Sequence, residues 1–253
     1  MKIALLLTGR IYASSLLYNN LYETFLKYYE VDIFVSCPKH TDASVVDRFT
    51  EIYKPKKLVV SDEIYFDVDK YNRRGETNKH NVMCMYLNRL KVAGLLEEYV
   101  SAGMGSVEYD FVVSSRTDLM FSAPIIDSPY PDLSLYRGSE KYFIENHIWI
   151  PSPEKDYWGI NDQYAFGRLP SMLVYLKTYS GLYDLLEKGV VLHPETLLAN
   201  YLVERGINAS RFLMEYKIER NIANDLLDAR VVPVNRNVAQ SGMYRKKMKM
   251  VFS

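Results

Sequence analysis

Through the first half of the chain, apolar runs alternate with stretches in which apolar residues return at helical spacing. Lys2 to Leu7 is a near-continuous apolar run broken by Thr8-Gly9-Arg10, the pattern of a strand buried on both faces. Leu16, Leu17, Leu21, Phe25 and Tyr28 then predict a helix over 14–29. A second strand is predicted over 31–36. A short helix carrying Val45, Val46, Phe49 and Ile52 follows, with Asp42 as its N-cap, and then a third strand over 57–60. The polar stretch 62–77, with Arg73-Arg74-Gly75 inside it, reads as a loop. Val82, Met83, Tyr86, Leu87, Leu90, Leu95 and Tyr99 mark a long helix ended by Gly103 and Gly105. Next comes the stretch Tyr109 to Phe121, in which the apolar run Phe111 to Val113 drives into hydroxyls and charges that end on Asp118. This alternation predicts an α/β fold with a mostly parallel central sheet flanked by helices.

The second half is less regular and rich in Tyr and Pro. After Pro124, Pro129 and Pro131, short strands are predicted over 133–136 and 143–144, and a loop over 151–159. A turn and strand over 161–167, a helical stretch over 170–186, a helix over 196–205 closed by Gly206 and a last strand over 211–218 complete the pattern. From 221 onward it weakens into a tail ending in Arg245-Lys246-Lys247-Met248-Lys249. No repeat interrupts the chain, so 1–253 reads as a single domain with halves at 1–121 and 122–220 and a tail at 221–253.

Composition narrows the partners. The 253 residues are 48% apolar and 25% charged, and Lys+Arg and Asp+Glu both number 31, so no net field draws the chain to nucleic acid or an acidic membrane. An anionic ligand must therefore be met by local basic residues. Cys37 and Cys84 form no disulfide framework or metal spacing, and they point to a reducing compartment. The apolar start is cut by Gly9-Arg10 at about the shortest length of a signal segment. No run approaches the ~20 apolar residues of a membrane span, so the expectation is a cytoplasmic chain without a transmembrane segment.

Four constellations could carry chemistry. Arg116 and Asp118 end a buried strand, where a charge persists only if something binds it. Asp118 can hold a hard divalent cation, or simply pair with Arg116. Asp162 lies between Asn161 and Gln163, close to the aromatic residues Trp158 and Tyr164. It can act as a general base beside a sugar stacked on those rings, or Asn161 and Asp162 can cap a turn. His193 precedes Pro194-Glu195 and is either a further metal ligand or a loop residue at a helix start. Thr8-Gly9-Arg10 lets backbone approach a ligand at Gly9 and offers Arg10 to a phosphate. The dinucleotide fingerprint is absent. Arg73, Arg74, Lys79 and His80 add either to an anion site or to a solvated loop.

Taken together, the strand ending in Gly-Arg, the run Tyr-Asp-Phe-Val-Val-Ser-Ser-Arg-Thr-Asp-Leu-Met-Phe, the run Asn-Asp-Gln-Tyr-Ala-Phe-Gly and the run His-Pro-Glu-Thr-Leu-Leu resemble GT-A-type glycosyltransferases. The likeness is to a bacterial and viral branch with Arg-x-Asp in place of Asp-x-Asp, and it runs over about residues 1–218. The resemblance implies a GT-A-like single domain with a nucleotide-sugar half at 1–121 and an acceptor half at 122–220. It further implies transfer from a UDP- or GDP-sugar to a glycan or other hydroxyl acceptor, with Mn²⁺ or Mg²⁺. Asp118 falls on the metal-holding Asp of the motif, and Arg116 on the position that normally contacts ribose, from which it can meet phosphate. Thr8, Gly9 and Arg10 complete the donor side. Asp162 falls where inverting members keep their base, Trp158 and Tyr164 on the acceptor side, and His193 on the residue that completes the metal shell. A retaining transferase and a non-catalytic nucleotide-sugar or carbohydrate-binding module remain as alternatives. A phosphatase or nucleotidyltransferase lacks its acidic pair at the first strand end.

Overall fold

A computed structural model describes residues 1–39, 42–62, 64–102, 107–123, 145–152, 159–212 and 214–219. The expected strands at 133–136 and 143–144, the glycines Gly103 and Gly105, Trp158 and the 221–253 tail lie outside the described residues.

The first half alternates as its pattern predicts. Strand β1 (Lys2–Thr8) leads to helix α1 (Ser15–Thr24), β2 (Glu30–Pro38), α2 (Ala43–Tyr53), β3 (Lys57–Ser61), α3 (Lys79–Ser101) and β4 (Phe111–Arg116). Asp42 caps α2, its side chain accepting a hydrogen bond from the Ser44 N–H at 2.9 Å. Asn78 does the same for α3 through the Asn81 N–H at 3.0 Å. The helix expected over 14–29 stops at Thr24, and a 3₁₀ turn (Leu26–Tyr28) takes the chain on to β2.

The rest of the sheet comes from β6 (His147–Pro151), β7 (Tyr164–Gly167) and β8 (Asn208–Phe212), in the spatial order β3-β2-β1-β4-β7-β6-β8. Four of the six pairings are parallel, and only β7 runs against its neighbours. A separate ribbon pairs β5 (Leu119–Phe121) with β9 (Tyr216–Ile218). The single strand expected over 211–218 is thus two strands in two different sheets. Pro151, expected in a loop, closes β6. The helical stretch expected over 170–186 is α4 (Leu169–Leu176), a 3₁₀ segment (Lys177–Gly181) and α5 (Leu182–Glu187). Gly181 sits against the Tyr201 ring, 2.6 Å from where a Cβ would stand. The last helix, α6 (Pro194–Glu204), starts with Pro at its first position, where no N–H is needed.

Strand alternation divides the core. Ala4 and Leu6 of β1 and Val112 of β4 face α3 to α6, while Ile3, Leu5, Leu7, Phe111 and Val113 face α1 and α2. Being covered on both faces is what allows β1 to be continuously apolar. No helix among the described residues is long and apolar enough to cross a membrane.

Leu6 is 0% exposed at the centre of this sheet, whereas Val60 on edge strand β3 is 39% exposed. Leu6→Ala should cost about 2–5 kcal/mol and Val60→Ala less than about 1 kcal/mol, read by chemical denaturation. Equal losses would place the core elsewhere.

Candidate functional site

The chain leaves β1 outward to β2 and β3, then returns to β4 on the other side of β1. Ligands in open α/β sheets bind at such a switch point, outside the carboxyl ends of the strands. Thr8 stands opposite Arg116 in the β1–β4 register and opposite Ser36 in the β1–β2 register, so the predicted donor residues do share one edge. Gly9, at φ +113°, turns the chain there, and its N–H donates to the Ser36 carbonyl at 3.2 Å. The Thr117 N–H donates to the Thr8 carbonyl at 3.3 Å, and the Thr117 hydroxyl to the Arg10 carbonyl, stitching the two loops together. Arg10 extends into solvent.

Because β7 is antiparallel, its first residues arrive at the edge that β1 and β4 leave. Ser115 pairs with Tyr164, and the Arg116 N–H donates to the Gln163 carbonyl at 3.3 Å. The Asn161 side chain accepts from the Gln163 N–H at 2.9 Å and donates to the Tyr216 hydroxyl at 2.8 Å. Asn161 therefore makes the turn and ties it to β9, leaving the neighbouring Asp162 for other contacts.

The two site carboxylates differ sharply. Asp118 is gripped by Arg116 through both oxygens, Nε to Oδ1 at 2.7 Å and Nη2 to Oδ2 at 2.6 Å. Asp162 is 6% exposed, and the nearest cation is Arg89, with Nη2 3.8 Å from Oδ2. That separation is an ion pair but too long for a hydrogen bond.

His193 is the N-cap residue of α6, its ring Nδ1 3.4 Å from the Thr196 hydroxyl. Burial and the Arg74 charge hold His193 below its ordinary range, against an upward pull from Asp162. Glu195, in the first turn of α6, is pushed up to about 6 by burial and then by the charge of Asp162. The start of α6 presses on the chain before β7. The Ile160 N–H donates to the Glu195 carbonyl at 3.3 Å, and that oxygen lies 2.3 Å from where a Cβ on Gly159 would stand.

Several expected roles change. Tyr164, expected on the acceptor side, is 2% exposed and faces the α1/α2 core, packed edge-on against Phe121 and Phe212 at 5.8 and 6.1 Å. Alternation along β7 puts Tyr164 with Phe166 on the α1/α2 face, whereas Asp162, in the turn before the strand, pairs with Arg89 on the other face. Burial raises the Tyr164 phenol. Asp118 and His193 do not make a cation site as placed. Both Asp118 oxygens face a guanidinium, and no group of three His, Cys, Asp or Glu able to hold a metal occurs among the described residues. The basic loop cluster is largely spent on holding the chain: Lys79 donates to the Val68 and Asp69 carbonyls, and His80 lies 3.4 Å from the Cys84 sulfur.

Arg89, Tyr86, Tyr175, Glu195 and Tyr216 were not predicted. For Arg89 a signal exists: it falls in the stripe of Val82, Tyr86, Ala93 and Leu96, the buried face of α3, where a charge needs a partner. A narrow cleft at the same edge is lined by Leu7, Leu17, Tyr53, Ser115, Arg116 and Thr117 among others, without Asp162. Its free space is no more than about one water molecule, far below the ~300–1,000 Å³ of small-molecule sites. The donor reading therefore rests on the open edge, not on this cleft.

These features define an α/β protein with a polar switch-point edge and a buried carboxylate beside it. Compared with known proteins, the chain matches no family model and no curated protein.

Glu195 gives a pH signature. Its folded carboxyl holds the proton more tightly than the ordinary 4.5, so its contribution to stability falls as pH rises from about 4.5 to about 6 and stays low above. The group is only half-buried, so the penalty is discounted to about 1 kcal/mol. Glu195→Gln should therefore be more stable than wild type by about that amount at pH 7.5 and equal to it at pH 4, in denaturant titrations at both pH values.

Proposed function

We propose that this chain is a GT-A-like glycosyltransferase that moves a sugar from a UDP- or GDP-sugar to a hydroxyl of a glycan acceptor, with inversion. One observation carries the reading. The Asp162 carboxylate sits at the edge shared by Gly9, Arg10 and Arg116, and no hydrogen bond occupies its oxygens among the described residues. Such a carboxylate can accept the proton of an acceptor hydroxyl as that oxygen bonds to the anomeric carbon and the bond from that carbon to the diphosphate breaks. Arg10 is exposed, and Arg116 keeps Nη1 unused by Asp118, so both can offset charge growing on the leaving diphosphate. A bound Mn²⁺ or Mg²⁺ would supply the same neutralisation. Asp118 as placed does not fit that role, so no step is routed through a metal.

The burial of Asp162 favours a second reading, a nucleotide-sugar-binding module in which this residue is structural. Thermal stabilisation by millimolar UDP- and GDP-sugars, with chelator and with Mn²⁺, tests the shared part. Stabilisation in chelator is expected, and Arg116→Met should remove it. Asp162→Asn should keep the stabilisation while transfer slows by roughly 10²–10⁴-fold. Loss of rate and donor affinity together makes Asp162 structural or donor-binding. A rate unchanged in that variant places the base elsewhere, and a wild-type chain that binds donor without transferring sugar is the module.

A further inference from the structure

Arg89 lies on α3 with its guanidinium 2% exposed, stacked between the rings of Tyr86 and Tyr175 at 5.2 and 5.1 Å. Its Nε and Nη1 have no hydrogen-bond partner among the described residues, and its third nitrogen points at Asp162 from 3.8 Å. A guanidinium so deeply buried is costly unless its charge is matched. We infer that Arg89 is the positioning residue for Asp162, a fixed counter-charge that faces the carboxylate without occupying its hydrogen-bonding oxygens. This deepens the glycosyl-transfer reading and rests on it for the catalytic part alone.

The clamp is built from both sides. The Tyr86 hydroxyl donates to the Pro194 carbonyl at 2.6 Å, fixing one ring to the start of α6. The Tyr175 hydroxyl donates to the carbonyl of Asp162 itself at 3.3 Å, so the ring stacked on Arg89 also holds the backbone of its partner. Burial works against the charge of Arg89, and Tyr175, Asp162 and Tyr86 outweigh it. The groups whose charges couple to Asp162 are Arg89 and Tyr86 from α3, Arg116 from β4, Tyr175 from α4, His193 and Glu195 from the start of α6, and Tyr216 from β9. Of the two arginines, Arg116 is already forked onto the Asp118 carboxylate through Nε and Nη2. Arg89 is the one whose charge is left for Asp162.

The test uses Arg89→Met and Arg89→Lys in the full chain. The Asp162 carboxyl is titrated by ¹³C NMR with labelled aspartate, and Asp162→Asn supplies the assignment. Arg89→Met should raise the proton affinity of Asp162 at least tenfold, and Arg89→Lys should keep it within about threefold of wild type. An Asp162 titration unmoved in Arg89→Met overturns the inference. If Arg89→Met gives no cooperative melt, the double variant Arg89→Met/Asp162→Asn decides. Recovery of the melt supports the pairing, and continued failure makes Arg89 a packing residue. In turnover assays, Arg89→Met should lower kcat at least tenfold with donor affinity unchanged, and an unchanged kcat counts against the positioning role. A wild-type chain that transfers no sugar defeats the transfer reading but leaves the titration to judge the pairing.

Discussion

The site is arranged around a buried guanidinium. Placing Arg89 inside the apolar face of α3 removes its hydration, a penalty of several kcal/mol that only nearby charge and polarisable rings can offset. Tyr86, Tyr175 and Asp162 supply these, and each belongs to a different stretch of chain or is tied to one. Through them α3, α4, the turn before β7 and the start of α6 are held at one point. Removing the guanidinium leaves a buried carboxylate unmatched, and moving any of these elements unseats the guanidinium.

The two arginine–aspartate pairs solve opposite problems with the same residue types. Arg116 and Asp118 meet in a bidentate fork at the mouth of the site, where the guanidinium side chain is 28% exposed. The fork uses the accepting capacity of the carboxylate and leaves the arginine partly available. Arg89 and Asp162 meet at longer range out of solvent, which commits the arginine to its rings and leaves the carboxylate oxygens available. One pair thus presents a cation outward, and the other presents an acceptor.

The reversal of β7 makes these pairs neighbours. A parallel strand brings to the carboxyl edge only the residues at its own C-terminal end, so a residue preceding a strand reaches that edge only if the strand runs backwards. Asp162 precedes β7 and arrives there, while alternation along β7 sends Tyr164 into the opposite core.

Local sequence was enough for the first half of the fold. Apolar runs in β1, β2 and β4, helical stripes in α1 to α3 and the Asp42 cap are short-range signals, and a strand buried on both faces leaves little choice of period. The shared polar edge was legible for the same reason, since a polar break after each parallel strand lands on one side. Long-range pairing decided the rest. β6 is five residues without alternation, and 211–218 divides between two sheets because β8 pairs with β6 while β9 pairs with β5. Neither choice is written in spacing. The sequence left Asp118 open between a cation and a pair with Arg116, and Asp162 open between a base and a turn. The folded chain holds Asp118 on Arg116 and leaves the Asp162 oxygens facing Arg89 without a hydrogen bond among the described residues. That difference depends on Arg89, 73 positions away in the chain, being carried by α3 to within 3.8 Å of Asp162. Charge compensation in a buried site acts through space, so only the tertiary structure assigns the partner.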